Sequence, residues 1–203
     1  MNEKERERLL QIHTTHLGEQ PYASGHYHHY EPTPYATLDV LFEQYDIRNR
    51  KRLVDYGCGK GRILFYVHHY FHLPVVGVEF DDQLYREALL NETTYLQKKH
   101  KWTASITIEH QLAEQYDIQR EDDVFFLFNP FSLQIFMTVI QKIMKSVEAY
   151  PRTVDIILYY PTDEFHYYLT YDTPFTRIQE VKVIGDSLDH QDRFLIYRYA
   201  HHS

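Results

Sequence analysis

The chain has 203 residues, 43% of them hydrophobic, and a formal net charge of -8. That length suits one domain with a sizeable core and is short for two. No apolar run reaches the roughly 20 residues of a membrane helix, so no membrane partner is expected. The start MNEKERERLLQIH is charged and lacks the apolar centre of an export signal, which makes a cytoplasmic protein the expectation. Cys58 is the one cysteine, excluding an internal disulfide and a cysteine-built zinc cluster. The acidic balance argues against broad nucleic-acid binding, although a local basic patch stays open.

Residues 2 to 12 are charged and helix-compatible. The stretch LGEQPYASGHYHHYEPTPY (17 to 35) has loop chemistry, and Pro34 can open a second helix through TPYATLDVLFEQY with Thr33 as its cap. Residues 1 to 50 therefore read as a helical arm or lid laid over a core of residues 51 to 203. From there short apolar strands alternate with amphipathic helices: strands at 52 to 56, 74 to 80, 104 to 110, 124 to 128 and 153 to 160, and helices at 61 to 71, 82 to 100 and 132 to 150. Strands this apolar need cover on both sides, which predicts a parallel sheet between helical layers. At the end, strand patterns at 175 to 186 and 193 to 200 are joined only by SLDHQD, too short for a crossover helix, so they should pair antiparallel. The expected fold is an α/β Rossmann-like three-layer sandwich with a mostly parallel, seven-stranded sheet ending in an antiparallel hairpin.

The first core strand runs into Asp55-Tyr56-Gly57-Cys58-Gly59-Lys60-Gly61 and then a helix. In a doubly wound sheet this turn lies at the carboxyl edge, where glycines let the backbone approach a nucleotide. A dinucleotide fingerprint would need glycine where Arg62 stands, so an NAD-dependent oxidoreductase is disfavoured. Asp55 would repel a pyrophosphate but suits a cationic amino-acid end. Glu79 closes the second strand, where a carboxylate can accept both ribose hydroxyls. Adenosine with a methionine-like tail fits these groups better than NAD.

With these residues in place, VDYGCGKGR, VVGVEFD and FFLFNPF resemble the successive motifs of class I S-adenosylmethionine-dependent methyltransferases. The resemblance spans roughly residues 51 to 200. It implies that S-adenosylmethionine is the cofactor, that Asp55, Gly57, Cys58, Gly59 and Gly61 line its methionine moiety, and that Glu79 holds the ribose. Phe80 would lie against the adenine, with Leu112, Ala113 and Glu114 at its amino edge. Asn129 would stand beside the sulfonium and the incoming nucleophile, and no metal is implied.

The resemblance also bears on Asn129-Pro130-Phe131. In amino-group methyltransferases of this fold, an Asn or Asp followed by two prolines and an aromatic holds the target amine; here one proline is missing. Asn129, Pro130 and Phe131 are the expected catalytic group, with a helix cap, a turn and a core ring as their bland counterparts. Tyr30, Thr33, Tyr35 and Tyr160 are candidate lid or substrate contacts. His68 and His72 are four apart on one helix, and a solvated face is the simpler reading than a metal site; KKHK at 98 to 101 reads as a solvated helix end. The expected activity is methyl transfer to an unidentified acceptor, with an amine of a protein, RNA or small molecule among the candidates, the alternative being a non-catalytic S-adenosylmethionine-binding protein that acts through partners.

Overall fold

The computed structural model describes residues 1–15, 30–97, 103–129, 131–183 and 190–200. Helix α1 (Glu3–Leu10) opens on a reciprocal cap, with Asn2 accepting from the Glu5 amide and Glu5 from the Asn2 amide, each at 3.0 Å. Helix α2 (Tyr35–Gln44) starts after Pro34, which is itself the capping residue and makes no side-chain cap bond. The expectation of a Thr33 cap is thereby corrected: Thr33 is buried and turns its carbonyl to Arg62 at 3.1 Å.

The core then runs β1 (Leu53–Tyr56), α3 (Arg62–Phe71), β2 (Val75–Glu79), α4 (Asp82–Leu96), β3 (Ile106–His110), a single 3-10 turn (Ala113–Gln115), β4 (Val124–Phe128), α5 (Leu133–Ala149) and β5 (Thr153–Tyr159). Helix α6 (Asp163–Tyr171) follows, then β6 (Thr176–Lys182) and β7 (Arg193–Ala200). The seven strands lie in the order β3-β2-β1-β4-β5-β7-β6. β3, β2, β1, β4 and β5 are mutually parallel, while β7 runs antiparallel to both β5 and β6. This is the sheet the alternation predicts.

Helix α6 departs from the sequence reading, in which the alternation ended at β5. Thr162 accepts the Phe165 amide at 3.3 Å and opens the helix. Phe165, Tyr168 and Leu169, three and four apart, then face the core. Alternate residues of each strand feed two cores. One joins Phe126, Ile157 and Phe194 to α3, Tyr95 of α4 and the arm residues Leu10, Leu38 and Leu41. The other joins Phe125, Leu127 and Ile156 to Ile140 and Phe136 of α5 and Phe165 of α6.

Because α1 and α2 cover α3 from outside, that helix has no solvated face over its first two turns; Arg62 to His68 are all buried. The solvated reading of His68 is corrected on this ground. Its ring is 0% exposed and pairs with Tyr95 Oη at 2.8 Å and the Ala104 carbonyl at 3.0 Å. His72 is exposed, and the KKHK run lies outside the described residues. No helix among the described residues is long and apolar enough to cross a membrane.

At the opposite end of the sheet from the glycine loop, the carboxylate of Asp155 is 0% exposed and gathers several donors. Arg198 grips both oxygens at 2.7 and 2.8 Å, Tyr45 donates at 2.7 Å, and Arg50 closes on the same carboxylate. Removing one member of a buried ion cluster leaves the others uncompensated. Asp155→Ala should therefore cost about 3 kcal/mol in urea denaturation; a loss under about 1 kcal/mol would mean that the arginines find solvent instead.

Candidate cofactor and substrate site

β1, β2, β4 and β5 run parallel, so their carboxyl ends meet along one edge. After β1 the chain turns back through Gly57, Gly59 and Gly61, at φ of 75°, 54° and 85°. Side chains rarely adopt this left-handed region, which is the reason for glycine at these alternate positions. Backbone bonds to β2 and within the turn hold it: Gly57 and Cys58 donate to the Val78 carbonyl at 2.8 and 3.2 Å, and Gly61 donates to the Cys58 carbonyl at 2.8 Å.

Two carboxylates sit beneath this loop. Glu79 is 4% exposed; it accepts the Gly59 amide at 2.8 Å and the Asp81 amide at 2.9 Å, tying the end of β2 to the glycine loop. Asp55 is also 4% exposed, and no hydrogen bond to its carboxyl group forms among the described residues. Burial, with the charge of Glu79 added, pushes the Asp55 carboxyl up to about 8. Burial also raises Glu79, although the amides of Asp81 and Gly59 work against it. Cys58 is buried against Gly77, where an added methyl group would stand 2.6 Å from Sγ, and burial pushes its thiol up. A buried, protonated thiol is a packing group, not a nucleophile.

Beyond Glu79, the Phe80 carbonyl pairs with His110 Nε2 at 3.1 Å, and the His110 ring stacks on Tyr85 at 4.6 Å. The loop after β3 is pinned beside them, the Gln111 amide donating to the Glu79 carbonyl at 3.1 Å and Lys142 donating to the Glu114 carbonyl at 2.8 Å. Leu112, Ala113 and Glu114 thus follow a loop anchored to the same strand end as Phe80, with Ala113 buried.

At the end of β4, Asn129 adopts φ 38°, and its Oδ1 is buried without a hydrogen-bond partner among the described residues. Buried acceptors are nearly always paired, so an orphan at the carboxyl edge marks where a ligand can donate. Pro130 lies outside the described residues, while Phe131 is 1% exposed and packs in the core on the α5 side. Ser132 caps α5 by position without a side-chain bond, so Asn129 does not serve as that cap. After β5, Tyr160 stands at φ 51° and donates its amide to the Arg193 carbonyl at 3.1 Å; Tyr159 packs 4.5 Å from Phe128.

The arm candidates divide. Tyr30 lies on the glycine loop, where a methyl group added at Gly59 would stand 2.2 Å from the Tyr30 ring. Thr33 and Tyr35 are instead drawn to Arg62, whose guanidinium lies 4.4 Å from the Tyr35 ring centre. Arg62, Thr14 and Asn91 escaped the sequence reading. A hint existed: an arginine opening a helix opposes the helix dipole and calls for acidic partners, which Glu3 and Glu7 supply.

No protein-family model matches the sequence, and no curated protein matches it. Solved structures do share the fold. An RNA methyltransferase from Salinibacter ruber in complex with S-adenosyl-L-homocysteine is 20% identical, with a TM-score of 0.56 over 83% of this chain and 92% of that one. A tRNA methyltransferase from Bacillus subtilis is 12% identical, with a TM-score of 0.58 over 82% and 65%. A human methyltransferase 10 domain containing protein is 14% identical, with a TM-score of 0.56 over 84% and 85%. The chain has the Rossmann-like fold of class I methyltransferases, as the sequence motifs suggested.

The raised Asp55 group makes a stability prediction. Its folded value lies above the ordinary 3.8, so its contribution is present below that value and is lost as pH rises towards about 8. Asp55→Asn should therefore raise the melting temperature of the ligand-free protein more at pH 8 than at pH 5. Equal gains at the two pH values would place Asp55 in contact with solvent.

Proposed function

We propose that the chain is an S-adenosylmethionine-dependent methyltransferase that acts on an amine. The observation that carries this reading is the buried Asp55 carboxyl group beside a glycine loop, without a hydrogen-bond partner among the described residues. It suits an ammonium group, and a dinucleotide has none to offer. The residues present fit the cofactor: Asp55 for the ammonium, Gly57, Cys58, Gly59 and Gly61 for close backbone approach, Glu79 for the ribose, and Phe80 with Leu112, Ala113 and Glu114 around the adenine. When bound, S-adenosylmethionine supplies an electrophilic methyl group on a sulfonium. The chain's own task is then to hold the acceptor in line. Asn129 Oδ1 accepts an N–H of the acceptor, fixing its lone pair towards the methyl. Tyr160 and the Phe128 ring border the same edge. Because two solved neighbours are named for RNA or tRNA, an RNA base amine is the first acceptor to assay, ahead of protein and small-molecule amines.

Calorimetry with S-adenosylhomocysteine and with NAD should give binding of the first alone, and NAD binding alone would overturn the reading. Tritiated-methyl transfer into fractionated RNA, protein, DNA and small molecules should reveal a labelled fraction. On that acceptor, Asn129→Ala should lower turnover by about 100-fold, as for other lost polar contacts at a reacting centre, with S-adenosylhomocysteine affinity changed less than about threefold. Unchanged turnover would remove Asn129 from the chemistry and leave a cofactor-binding protein that acts through partners.

A further inference from the structure

We infer that Arg62, Thr14 and Tyr30 form a relay that sets the glycine loop for the amino-acid end of the ligand, making the arm at Thr14 and Tyr30 a fixed wall of the site. The inference rests on the S-adenosylmethionine reading above.

The relay closes on itself. Arg62 is 3% exposed; its Nε donates to Thr14 Oγ1 at 2.7 Å and its Nη1 to Glu3 at 2.6 Å and to the Thr33 carbonyl at 3.1 Å. Thr14 is 0% exposed, and Glu7 Oε1 accepts both its amide, at 2.6 Å, and its hydroxyl, at 2.7 Å. The Thr14 carbonyl accepts the Tyr30 hydroxyl at 2.8 Å, and the Tyr30 ring returns to lie on Gly59. Asn91 adds a second clamp: its amide group donates to the Lys60 carbonyl at 3.0 Å, and its Oδ1 accepts the His13 amide at 2.8 Å. Gly59, Lys60 and Arg62 are therefore each fixed by the arm or by a side chain that also holds it.

Glu7 keeps its charge in this setting. Burial alone would raise its carboxyl group, but hydrogen bonds from Thr14 and Thr15 and the charge of Arg62 hold it below the ordinary carboxylate value. The arm is thus locked by a charged, satisfied network. A stack of apolar residues would let the arm slide, whereas these directional bonds allow one register. Arg62 and Thr14 act through Tyr30 and are positioning residues.

The test separates positioning from general stability. Calorimetry on the full chain would compare S-adenosylhomocysteine with 5′-methylthioadenosine, which lacks the amino-acid end, alongside melting curves. Tyr30→Phe, which loses one buried hydrogen bond, and Thr14→Val, which loses two, should each weaken S-adenosylhomocysteine by about tenfold or more, and methylthioadenosine by under about twofold. Thr14→Ser, which keeps the hydroxyl, should bind as the parent does. Should Thr14→Val fail to fold, Tyr30→Phe, which removes a single oxygen, decides the matter. Equal losses for both ligands, unchanged affinities, or tighter S-adenosylhomocysteine binding by Tyr30→Ala would overturn the inference. Failure of the unaltered protein to bind either ligand would instead overturn the cofactor reading beneath it.

Discussion

Two buried carboxylates, Asp55 and Glu79, stand close together at the carboxyl edge of the sheet, and the remainder of the site is arranged around that cost. Glu79 is compensated by two backbone amides, one of them from the glycine loop itself. Asp55 is not, and its group is pushed up to about 8. Holding an aspartyl group neutral at pH 7 costs about 4 kcal/mol relative to its ordinary ionisation, a large part of the stability of a domain this size. A ligand that brings a positive charge to this point recovers much of that cost. A pyrophosphate brings negative charge, which would keep the group protonated and recover none of that cost, so this one group favours a cationic ligand over a dinucleotide.

The glycine loop inherits its geometry from this arrangement. Gly59 must direct its amide to Glu79, which demands a left-handed backbone and explains why that position carries no side chain. The vacated space is used by Tyr30 from the arm, held in turn by Thr14 and Arg62. The polar network of the arm and the chemistry of the loop are therefore one construction, although Arg62 and Glu3 are 59 positions apart.

Much of the frame was legible because its causes are local. Apolar strands with two-sided burial, glycines at alternate positions after β1, and a short polar connection between the last two strands each point one way in sequence. What was missed depends on distant partners. His68 looked like a residue of a solvated face because a helix of that length ordinarily has one; the arm covers that face, and Tyr95 and Ala104 pair with the ring. Thr33 looked like a helix cap, but the pull of Arg62 on its carbonyl leaves Pro34 in that place. Helix α6 escaped because its aromatic run, DEFHYYLTY, resembles strand composition until Thr162 is recognised as its cap. The orphaned oxygen of Asn129 lies between these cases: the motif pointed to the residue, and only the packing around β4 shows that the atom lacks a partner among the described residues.

The most direct test is a crystal structure of the complex with S-adenosylhomocysteine. The account predicts the ligand's amino group within hydrogen-bond distance of the Asp55 carboxylate, the ribose hydroxyls at Glu79, and the thioether sulfur facing Asn129. A ligand bound with its adenine at Asn129, or on another face of the sheet, would contradict it.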